Sequence, residues 1–83
     1  MDADRRVNLQ KRVQIEQIAL GACRSVLPDN APKELHWQAM DAAESAIAPR
    51  GGRPELTDEA REATARRVVA DICRAAGLEP VTA

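Results

Sequence analysis

The sequence predicts an all-α protein, a small up-down-up three-helix bundle, and three observations carry that expectation. Apolar residues recur at helical spacing in three stretches, with no strand-like alternation between them. Pro28, Pro49 and Pro80 close those stretches, because proline cannot continue a helix. The connections are short, which favours antiparallel neighbours. The alternative arrangement is a hairpin of helices 2 and 3, with a long N-terminal helix reaching into a second subunit as an intertwined dimer.

Helix 1 is expected over about residues 5–26, inside the longest proline-free stretch of the chain. Asp2 and Asp4 suit the positive end of its dipole, and Gly21 is its only weak point. Ile15, Ile18, Ala19, Ala22, Cys23 and Val26 share one helical face. Leu9, Val13, Leu20 and Leu27 continue that face, so the apolar arc covers roughly half the circumference, where a surface helix shows about 100°. Such a helix should touch more than one partner. Pro28 disfavours the α conformation at Leu27 and Asp29-Asn30 is turn chemistry, which ends helix 1 near Val26.

Helix 2 is expected over about 31–48, with Asn30 or Ala31 as N-cap and Pro32 in the first turn. Its apolar arc is Leu35, Ala39, Met40, Ala42, Ala43, Ala46 and Ile47, mostly small side chains that let a neighbouring backbone approach. Pro49 stops it, and the segment from Pro49 to Pro54 reads as the hinge. Helix 3 is expected over about 58–76. Thr57 caps it, and Asp58 and Glu59 stand in its first turn. Ala65, Val68, Val69, Ile72, Cys73, Ala75 and Ala76 face inward, Arg67, Asp71 and Arg74 outward, and Glu62 is spaced to pair with Arg66. Gly77 offers a left-handed residue that would fold Leu78 back on Ile72 or Cys73. The tail after Pro80 is expected to be loose.

A chain of 83 residues allows one domain, 1–83, and a small core. Trp37 is the only aromatic residue, and sixteen alanines dilute the remaining apolar inventory. Self-association or a partner is a usual remedy for so thin a core, so a homodimer is expected. The formal charge of −1 provides no overall field toward nucleic acid or an anionic membrane. The N-terminus is charged, unlike a signal peptide, and no apolar run approaches the ~18 residues of a membrane span. The chain therefore reads as cytoplasmic. Its Ala, Arg and Pro bias suggests a GC-rich bacterial or phage coding sequence.

No stretch carries a catalytic, metal or nucleotide motif. Cys23 and His36 could pair as thiolate and base, but Cys23 lies on an apolar helical face, where burial makes a thiol inert. One histidine and two distant cysteines match no zinc spacing. The carboxylates are spaced as solvated helix charges, and His36 reads as a satisfied structural histidine. Neither catalytic nor metal-binding residues are assigned, and no cofactor is expected. A helix-turn-helix fails because only six residues follow Gly77, too few for a recognition helix.

What remains is surface. Arg5, Arg6, Lys11 and Arg12 could contact phosphates nonspecifically, although a solvated face paired with Asp2 and Glu16 is the preferred reading of them. No aromatic is interleaved with them to stack a base. Trp37 sits at the rim of helix 2's apolar arc, the placement of an interface anchor. Arg50 and Arg53 could clamp a carboxylate or phosphate. The expected partner-binding set is thus Trp37, Leu9, Val13, Leu20, Arg50 and Arg53. The sequence reads as a small non-enzymatic protein-interaction module, an adaptor, regulator or inhibitor of a larger protein, a class that includes small modulators of phage or plasmid type. The alternative is a weak electrostatic nucleic-acid binder using the face from Arg5 to Arg12.

Overall fold

Local chemistry at the helix ends sets the architecture. The computed structural model describes residues 2–49 and 56–81, with side chains from Leu9 onward. Three helices follow in order: α1 over Asp2–Val26, α2 over Lys33–Ile47 and α3 over Asp58–Ala75. α1 begins three residues earlier than expected, with Asp2 and Asp4 inside its first turn. Leu27 N–H still donates to Cys23 O at 2.9 Å before Pro28 breaks the run.

α2 starts two residues later than expected, and its cap is Pro32 instead of Asn30 or Ala31. The cause is steric. Proline disfavours helical backbone at the residue before it, and the Ala31 N–H is already committed to Pro28 O at 3.0 Å. Helical geometry therefore begins only after Pro32, whose backbone is extended with ψ of 157° as in an ordinary N-cap, but whose side chain has no oxygen to accept from the first N–H groups of the helix. At the start of α3, Thr57 Oγ1 accepts from the Ala60 N–H at 3.1 Å, as the sequence predicts.

α3 stops at Ala75 and closes in a Schellman arrangement. Gly77 has φ of 81°, its N–H reaches Arg74 O at 2.9 Å, and the Leu78 N–H reaches Cys73 O at 3.0 Å. Leu78 then packs on the core, and the Cys73 thiol donates to its carbonyl at 3.5 Å. The tail is not loose through Val81. The Val81 N–H donates to Val26 O at 2.7 Å, filling one of the acceptors that the end of α1 leaves open.

These contacts fix the topology. Val26 beside Val81 and Gln14 beside Asp58, at 2.9 Å, make α1 and α3 parallel. Ala48 and Pro49 lie against Arg12 and Ile15, so α2 runs the other way. The result is an up-down-up three-helix bundle in which α1 folds back on its own hairpin. α2 and α3 share the largest of the three interfaces and α1 and α2 the smallest. The core contains Ile15, Val26, Leu27, Leu35, Ile47 and Val69 around the fully buried Ala19, Ala39, Ala43 and Ala65. Small residues at the helix crossings permit spacing at the short end of the usual ~8–10 Å.

Candidate functional site

Helix lengths leave part of α1 without neighbours. α1 has 25 residues against 15 in α2 and 18 in α3. Because α2 ends beside Arg12 and Ile15 and α3 begins beside Gln14, the turns of α1 before Arg12 run past both neighbours. The molecule is accordingly elongated, 45 × 23 × 20 Å. Leu9 stands on this part of α1 and is 59% exposed, and Val13, one turn further on and level with the ends of both neighbours, is 53% exposed. Leu20, a further two turns along, lies within ~40° of both on the helix surface. Leu20 is half-buried. Leu27, on the same line, is buried. One stripe of α1 thus passes from covered to uncovered as the bundle ends.

Trp37 is 69% exposed and does not join that stripe. It lies in the second turn of α2, and from Ala48 back to Trp37 is roughly 16 Å along the helix. Leu9 sits about one turn beyond Ala48 in the opposite direction, so Trp37 and Leu9 are ~20 Å apart along the long axis. The expected partner-binding residues therefore form two patches. Arg50 and Arg53 lie outside the described residues. So do the side chains of Arg5 and Arg6, although both residues belong to α1.

The basic cluster is not a uniformly basic surface where it is described. Arg12 is exposed, but it lines a cleft of about 470 Å³ together with Glu16 and Glu44. Lys11 is half-buried. Burial first, and then the charges of Glu16 and Asp41, hold the Glu44 carboxyl above the ordinary carboxylate range. Glu44 also acts on Cys23, where burial in the first place, and Glu44 in the second, pushes the thiol up to about 11.

Cys23 and Cys73 are both free and buried, as their positions on apolar faces predict. His36 is half-buried near the start of α2. Among the described residues no group of three His, Cys, Asp or Glu side chains is arranged to hold a metal ion. No helix among them is long and apolar enough to cross a membrane.

Sequence reasoning missed two features of α3. Arg61 is buried, 6% exposed, with Nη1 at 3.5 Å from Asp58 Oδ1. The helical spacing of Arg61 from Ala65 was the available signal. The second is the outer half of α3. The expected ion pair between Glu62 and Arg66 is not among the salt bridges of the described residues, and Arg66 instead borders a recess with Arg67 and Arg74. The side chains at α3's acidic end have drawn elsewhere, Asp58 to Gln14 and Arg61. No protein-family model, curated protein or solved structure matches the chain.

Proposed function

We propose that the protein is a small non-enzymatic interaction module, an adaptor, regulator or inhibitor that docks on a larger protein through the projecting half of α1. The observation that carries this reading is the exposure of Leu9, beyond the ends of α2 and α3, and of Val13, level with them. Full burial of such side chains is worth about 1.5–3 kcal/mol each, and this chain's interior uses few large residues to supply that elsewhere. Leu9, Val13 and the flank of Leu20 form a narrow seam, the form in which one helix receives another. A second copy can dock there too, setting Leu9 against the partner's Val13 about a two-fold axis.

The test uses the full chain as bait in a nuclease-treated lysate of its host, at low and moderate salt, beside a Leu9→Glu/Val13→Glu variant. The expected result is a bound protein retained at both salt levels and lost from the variant. Both positions are exposed, so the variant should stay folded, and circular dichroism checks that. Binding that survives the double substitution, or that disappears from the wild type at moderate salt, overturns the reading. The salt-sensitive outcome would point to phosphate contact through the Arg5 to Arg12 face.

A further inference from the structure

The end of the molecule opposite the α1 projection carries a recess made by three chain segments. Val26 at the end of α1, Ala70 on α3 and Val81 in the tail form its apolar floor, and Arg66, Arg67 and Arg74 form its rim. Its volume is about 390 Å³, room for one or two side chains of a ligand. The floor is fixed in advance, because the Val81 N–H is tied to Val26 O at 2.7 Å.

We propose that this recess binds an acidic, aliphatic peptide segment of a partner protein, with carboxylates on the arginine rim and a branched apolar side chain on the floor. Three observations lead to that chemistry. Arg66 and Arg67 make no ion pair or side-chain hydrogen bond with any described residue, while Arg74 holds Asp71 at 3.3 Å. Three arginines and no carboxylate line the recess, and one of the three is paired outside it with Asp71, so the rim is positive on a chain whose formal charge is −1, although Arg66 also borders a neighbouring cleft with Asp58 and Glu62. Guanidinium forks match carboxylates in geometry as well as charge. An apolar floor then favours a carboxylate carried beside an aliphatic group. Nucleic acid would meet the same arginines, but no aromatic residue lines the recess to receive a base. The site uses no residue of the α1 projection, so it stands or falls independently of that reading.

The experiment titrates the isotopically labelled full chain with an acetylated, amidated Glu-Leu-Glu-Leu peptide and follows backbone amide shifts. Its Gln-Leu-Gln-Leu counterpart and a short oligothymidylate are the comparison probes. The expected result is saturating shifts centred on Val26, Ala70 and Val81, with affinity at least about fivefold weaker for the glutamine peptide. The Arg66→Gln/Arg67→Gln variant should lose affinity by a similar factor. Both arginines are exposed, and an unchanged melting curve confirms that the variant folds. As a second variant, Val81→Glu keeps the backbone bond to Val26 and sets a carboxylate at the floor, so it should weaken binding as well. Shifts centred elsewhere, equal affinity for the glutamine peptide, or tighter binding of the oligonucleotide overturns the proposal.

Discussion

Cys23 shows how little room the seam between α1 and α2 leaves for a charge. Burial removes its thiolate from water, and Glu44 lies close enough to oppose it further, which together push the thiol up to about 11. At pH 8 such a group is ionised about one part in a thousand, against about one in ten for a thiol at 9.0. Cys23 in the native protein should therefore react with a thiol reagent at least a hundredfold more slowly than in denaturant, and Cys73 should be slow through burial alone. Stopped-flow or colorimetric labelling at pH 8 checks this, and a native rate within a few-fold of the denatured one would refute the buried placement. The sign of the accompanying pH effect is fixed by the same shift. The unfolded chain gives up its proton first, so stability falls as pH climbs from about 9 toward 11. The burial of Cys23 was legible in the sequence because it follows from helical periodicity. The role of Glu44 was not, since it depends on how two helices meet.

Helix ends were legible where their chemistry is local and illegible where it is tertiary. Thr57 followed by Asp58 and Glu59 marks the start of α3, and Gly77 marks its end, because the responsible bonds span only a few residues. Thr57→Ala removes the acceptor for the Ala60 N–H and should cost about 1 kcal/mol. Gly77→Ala meets no atom within 4 Å of the added carbon, so its cost is the left-handed backbone alone, again about 1 kcal/mol. In a domain of this size each should lower the thermal midpoint by roughly 4–8 °C, and the two should add because the sites lie at opposite ends of α3. Calorimetry of both single variants and the double variant decides; an unchanged midpoint for Gly77→Ala would show that the left-handed turn contributes nothing. The tail illustrates the opposite case. Nothing in Leu78 to Val81 announces a bond to Val26, and without that bond the recess between α1, α3 and the tail has no third wall. The arginines around it could be placed on the outer face of α3 from spacing, but their enclosure could not.

At the scale of the whole molecule, the thin core and the overlong first helix belong to one argument. Ile47 and Val69 are the largest fully buried aliphatic side chains, and alanines supply much of the rest of the interior. Little apolar burial is therefore available inside the bundle, while Leu9 and Val13 remain in water at its end. The apolar arc of α1 read from the sequence is wider than the bundle covers, and Leu9 and Val13 are the part left most exposed. If that surplus pairs with a second copy, folding and association become one equilibrium, and stability depends on protein concentration. Each tenfold rise in concentration then adds up to about 1.4 kcal/mol per dimer, which should lift the melting temperature by a few degrees. Leu9→Glu/Val13→Glu should abolish that dependence, because each carboxylate would be drawn into an apolar contact at a cost of several kcal/mol or be left outside it. Melting curves over a hundredfold concentration range, paired with light scattering, measure both consequences. A constant midpoint together with a monomer mass at the highest concentration would eliminate self-association and leave the α1 projection to a different protein.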